Sequence, residues 1–107
     1  EMPIFKYSPL PLNGRFNEND FTTSPEENSV FEIQIYPDKP EKAFYALVPY
    51  SQIVRQALHE PELYLVPFCR FDQSTEGKHN VELVEEGTLE MSNGQWEIVE
   101  KSRIKLT

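Results

Sequence analysis

The sequence predicts an α+β fold: a strand-rich single domain with a mostly antiparallel sheet and one short helix packed on one face. Three observations lead there. Residues 30–36 alternate, with Phe31, Ile33 and Ile35 apolar against Glu32 and Gln34, as a strand with one buried and one wet face must. Residues 89–98 set Asn93-Gly94 between two alternating runs, which calls for a hairpin closed by a two-residue type I′ turn. Ile53, Val54, Ala57 and Leu58 recur at helical spacing ahead of Pro61, so one short amphipathic helix fits between them and a proline stop.

Taken in order, residues 1–29 read as an irregular N-terminal arm, and residues 30–107 as a single β-rich α+β domain. Pro3, Pro9, Pro11 and Pro25 interrupt the arm, and its apolar residues keep no period. Laid over the core, Ile4, Phe5, Tyr7, Leu10, Leu12, Phe16 and Phe21 would fix it; the alternative is a disordered tail. After the 30–36 strand, residues 43–48 are apolar on both sides, which suits an interior strand. Pro49 ends it, and the Ser51 hydroxyl is expected to cap the helix. Residues 63–71 read as a strand that Pro67 confines to an edge or a bulge. A polar loop at 73–80 precedes a strand from Val81 to Val84, and Glu86-Gly87 marks a bend.

The hairpin register can be tested against the pattern. With Asn93-Gly94 as the turn, Ser92 faces Gln95, Met91 faces Trp96, Glu90 faces Glu97 and Leu89 faces Ile98. One face is then apolar and the other polar, an agreement that a one-residue slip would destroy. Residues 103–106 alternate again and extend or follow this strand. The order is β-β-α-β-β-β-β, and a closed, barrel-like sheet is the alternative to an open one.

Composition bounds the function. The 107 residues suit one domain. Seven Phe, five Tyr and one Trp provide a core despite a mean hydropathy of −0.56. Eighteen acids against ten bases give a net charge of −8. Phosphate backbones and anionic membrane surfaces repel such a chain, so neither nucleic acid nor a membrane is the expected partner. The charge suits a basic protein partner, and it also serves solubility. Cys69 is the sole cysteine; it can form no intrachain disulfide, which favours a reducing, cytoplasmic setting. No signal-peptide pattern or membrane-length apolar run is present, although the sequence opens at Glu1 rather than Met.

No motif reads as a catalytic, cofactor or metal site. His59, Glu60 and Glu62 could hold a divalent ion or move a proton, but a helix end followed by a proline turn explains them more simply. Cys69, between Phe68 and Arg70, reads as a buried inert thiol. Gly77-Lys78-His79 lacks the rest of a phosphate loop. Phe44, Tyr45, Tyr50, Tyr64, Phe68, Phe71 and Trp96 could line an apolar groove, although aromatics at strand spacing are more often core.

The glutamates are the unusual feature. Glu90 and Glu97, directly opposite each other, carry a like-charge cost that Arg103 and Lys105 would relieve if they stood alongside. The expected function is therefore a non-enzymatic protein-interaction or regulatory module that uses an acidic sheet face, with Glu82, Glu85, Glu90 and Glu97 as its partner-binding residues. The alternative is a small-ligand or peptide-binding domain using the aromatic cleft or the Pro67 edge strand.

Overall fold

Alternation and turn chemistry produce two sheets in the computed structural model, which describes residues 2–107. The nine strands are β1 (Ile4–Ser8), β2 (Phe16–Asn17), β3 (Phe31–Ile35), β4 (Lys42–Leu47), β5 (Cys69–Arg70), β6 (Val81–Glu85), β7 (Gly87–Ser92), β8 (Gln95–Glu100) and β9 (Ser102–Leu106). The helices are α1 (Ser51–His59) and the one-turn α2 (Pro61–Tyr64). A six-stranded antiparallel sheet runs β1-β3-β4-β7-β8-β2, and a three-stranded sheet runs β5-β9-β6.

The large sheet curls into a half barrel. Phe16 lies on β2, at one edge, yet its ring is 5.4 Å from Phe31 of β3 and 5.3 Å from Tyr45 of β4. Those contacts exist only if the sheet folds over its own inner face. Residues 18–22 strap the opening: Tyr7 on the opposite edge exchanges two backbone hydrogen bonds of 2.9 Å with Thr22.

The segment expected as an irregular arm thus contributes two strands, two 3₁₀ turns and the fully buried Phe16. Strand β1 escapes the eye because it is an edge. Ile4 and Phe5 stay largely exposed, and pairing with β3 from Ile4↔Ile35 to Ser8↔Phe31 holds it through its backbone.

The hairpin forms in the register that the alternation requires, Leu89↔Ile98, Glu90↔Glu97, Met91↔Trp96 and Ser92↔Gln95. Asn93 and Gly94 take φ of 52° and 78°, the left-handed pair of a type I′ turn. Leu89 and Trp96 are buried. The Trp96 indole N–H meets no acceptor among the described residues, a cost its large apolar burial must offset.

Both arms of this hairpin continue past the large sheet. One runs back from β7 through Glu86 into β6, and the other from β8 through Lys101 into β9, where β6 and β9 pair in the small sheet. Register shifts around Val84 and Val99 put a bulge in each arm, and bulges bend strands. A single bent hairpin therefore joins the two sheets.

Tyr45 fixes the bend. Its hydroxyl donates to the Phe68 carbonyl at 2.6 Å and accepts from the Ser102 N–H at 3.3 Å. Its ring lies on Gly87 so closely that a Cβ there would overlap it and crowd the Ser102 nitrogen, 2.8 Å away. The Ser102 hydroxyl donates to Glu85 O at 3.0 Å and ties the second arm to the first.

Two local expectations need correction. Residues 63–71 do not form a strand: α2 and a series of turns occupy most of this stretch, and only Cys69–Arg70 pairs, in parallel with β9. Pro67 is accordingly on no edge strand. Pro61 sits at the first position of α2, where its missing N–H costs nothing. Tyr64, Leu65 and Phe68 are buried while Leu63 and Val66 are exposed; the true period is helical, hidden inside an apolar run. Nor does Ser51 cap α1. It is the first helical residue, and Tyr50 occupies the cap position without a side-chain bond. Ile53, Val54 and Ala57 dock the helix as their spacing predicts.

Gly87→Ala is expected to destabilise the domain by roughly 3 kcal/mol or more, because a buried ring must move. Tyr45→Phe should cost less, about 1–2 kcal/mol, since the Phe68 carbonyl keeps the Ser102 N–H as donor at 3.1 Å. Denaturant titration checks both, and equal stability of Gly87→Ala and the parent would remove Tyr45 from its role at the bend.

Candidate functional site

The four glutamates expected to form one acidic face are all exposed but stand on two sheets. Glu82 and Glu85 lie on β6, opposite Lys105 and Arg103 of β9. Directly opposite residues share a face of the ladder, so these bases attend Glu82 and Glu85 and not Glu90 and Glu97. Glu90 instead lies between Glu97 and Lys42. Glu97 meets Arg15 at 3.7 Å, the one ion pair among the described residues. The relief predicted for Glu90 and Glu97 exists, but other cations supply it.

The remaining candidates separate in space or vanish into the core. Tyr45, Tyr64, Phe68 and Trp96 are buried, and Phe16, Phe31, Tyr45 and Phe68 form one cluster of edge-to-face and tilted ring pairs. These rings fill the half barrel and line no cleft. Phe44 and Tyr50 are the outward-facing members, at 38% and 39% exposure. His59 closes α1 with its ring exposed, where a cation would suit the negative end of the helix dipole. No three His, Cys, Asp or Glu side chains among the described residues gather as a metal-binding set.

What the fold does assemble is a groove along the open seam between the sheets. It measures about 300 Å³. Ala46, Leu47 and Val48 of the β4 end, Val54 of α1, and Val81 and Leu83 of β6 give it an apolar lining. Strand β6 is the last in its sheet, so its outer edge has no strand partner among the described residues. Leu83 remains 49% exposed there.

Glu32, Gln34 and Glu86 provide the polar lining of the groove. The Gln34 amide donates to the Glu86 carboxylate at 2.7 Å. Burial, and then the charge of Glu32, push the Glu86 carboxyl above its ordinary value. Neither carboxylate belongs to an ion pair among the described residues. Sequence reasoning counted Glu86 among the unusual glutamates but put neither residue in the partner-binding set. Glu32 read as the wet face of a strand and Glu86 as part of a bend; only the curl of the sheet places them together.

Cys69 is buried, and loss of solvent pushes its thiol up to about 12, the opposite of what a nucleophile needs. This has a consequence for stability. An exposed thiol in the unfolded chain ionises near its ordinary 9 while the folded one stays protonated to about 12. The thiol's contribution is therefore whole below pH 9 and lost as pH climbs through that window, at up to about 1.4 kcal/mol per pH unit. Burial raises the Tyr45 phenol as well, which deepens the loss at the alkaline end. Denaturant midpoints from pH 8 upward should decline, and Cys69→Ala should flatten the decline; an unchanged slope in that variant would refute it.

Among the described residues no helix is long and apolar enough to cross a membrane. No family model, curated protein or solved structure matches this chain.

Proposed function

We propose that this domain is a non-enzymatic protein-interaction module whose seam groove takes up an extended, basic segment of a partner. One observation carries the reading: Glu32 and Glu86 stand beside an apolar groove, and neither forms an ion pair with a cation among the described residues. Holding like charges together in a half-buried site costs the fold, and a lysine or arginine from outside would relieve that cost. The unpaired edge of β6 offers main-chain hydrogen bonds for an added strand. The groove beside it accepts the alternate apolar side chains. Glu82 and Glu85 of β6 stand across from Lys105 and Arg103 of β9, so they add little to the field that draws a basic partner in. Glu90 and Glu97, attended by Lys42 and Arg15, lie outside the binding surface.

A dye-labelled peptide of alternating valine and lysine tests this by fluorescence anisotropy, with a valine–glutamate peptide as control. Saturable binding is expected for the lysine peptide alone. It should weaken about tenfold or more in Glu86→Lys and fall with added salt, while Glu97→Lys leaves it nearly unchanged. Because the raised Glu86 carboxyl binds a proton more readily than an ordinary one, and only its ionised form attracts lysine, affinity should also drop as the solution is acidified. Binding indifferent to Glu86→Lys and to salt would defeat the reading.

A further inference from the structure

A cleft of about 620 Å³ lies between α1 and the loop that precedes β6. Its charge is opposite to that of the chain. Eighteen acids outnumber ten bases overall, yet among the described residues no carboxylate side chain lines this cleft, whereas Arg55, His59, Lys78 and His79 all do. Both histidines of the sequence are among them.

Two separate stretches of chain build its walls. On α1, Ser51, Arg55 and His59 follow at intervals of four, which stacks them along one side of the helix. Val54 and Leu58 supply apolar surface beside them. The facing wall is a loop without an apolar period, but its backbone is tethered. His79 N and Asn80 N donate to Thr107 O at 2.9 and 3.1 Å, and Thr107 N returns a bond to Asn80 O at 3.1 Å. Lys78 N closes a turn onto Thr75 O at 3.1 Å, with Gly77 at a φ of +74°. Lys78 and His79 are thus held facing the helix. None of the four basic side chains takes part in the one ion pair among the described residues, Arg15–Glu97.

We propose that this cleft binds a small phosphorylated metabolite. Arg55 and Lys78 hold the phosphate oxygens: the guanidinium fork matches two of them, and the ammonium acts as a point charge. His59 and His79 donate from either wall. Ser51, Thr75 and Asn80 offer neutral hydrogen-bonding groups to the rest of the ligand. The volume lies in the range of small-molecule sites. A nucleic-acid strand is disfavoured, because its many phosphates would meet the net negative field of the whole domain. The seam groove is a different site with different charged residues, so this proposal stands or falls without it.

The test is a nitrogen-15 amide-shift titration of the chain with inorganic pyrophosphate and with ADP, each at constant ionic strength. Saturable shifts confined to residues 51–59 and 75–80 are expected, half-saturated below about 1 mM. Arg55→Gln and Lys78→Gln should each weaken binding roughly tenfold, and the same spectra report whether each variant is folded. Glu97→Gln should leave the titration unchanged. The proposal is overturned by the absence of saturable shifts, by equal shifts with sodium chloride, by unaltered affinity in both glutamine variants, or by a single-stranded oligonucleotide binding more tightly than either probe.

Discussion

The contact between the Tyr45 ring and Gly87 sets the geometry on which the two sheets depend. Tyr45 belongs to an interior strand of the large sheet, so its ring position is fixed by β3 and β7 on either side. Gly87 is where one arm of the bent hairpin leaves that sheet, and Ser102 begins β9 beyond the departure of the other arm. By resting on the first and hydrogen-bonding the second, a single side chain holds both arms at the same bend. Its bond to the Phe68 carbonyl adds the turn that delivers β5. Lys101, at the bend itself, reaches the Val66 carbonyl at 3.0 Å and braces the same turn from the other side. The absence of a side chain at position 87 is thus as much a part of the core as the aromatic rings.

That bend also creates the seam. A hairpin lying flat in one sheet would place β6 far from β3 and β4. Turned out of the large sheet, β6 and β9 face the end of β4 and the helix, and they leave a gap that Val81, Leu83 and Ile104 line without filling. The exposure of Leu83 follows from this geometry, since its strand ends a three-stranded sheet with nothing beyond it. Edge strands with apolar side chains invite pairing by other chains. On the proposed reading, Glu32 and Glu86 beside the groove limit which chains can do so, since an acidic or neutral strand gains nothing from them and a basic one does.

Some of this was legible in residues and some was not, for reasons that can be named. The hairpin was legible because turn and alternation are both local and each constrains the other. The α1 face was legible because Ile53, Val54 and Ala57 need only their own spacing. Residues 63–71 misled because Leu, Tyr, Val and Phe in a run satisfy a strand and a helical turn alike; the informative residue was Pro61, which starts a helix as readily as it stops one. The first strand was hidden by being an edge with few buried side chains. The two clefts were illegible in principle. Glu32 and Glu86, or Arg55 and Lys78, are distant in sequence, and only the curled sheet and the tethered loop bring each pair together. The overall charge of −8 even pointed away from the second cleft, because a sum over the chain conceals a local reversal of sign.

The two clefts back onto the same short stretch of chain. Pro49 and Val54 line both, alone among the described residues. The groove and the cleft thus share the wall that Pro49 and the Val54 face of α1 provide. A nine-residue helix has little stability of its own, and α1 stays in place because Ile53, Val54 and Ala57 are docked. Val54 is therefore at once a docking residue and a shared wall. If the two sites influence each other, α1 is the element both must bias. The influence must then be reciprocal: whatever factor one occupant imposes on the other's affinity is returned in equal measure.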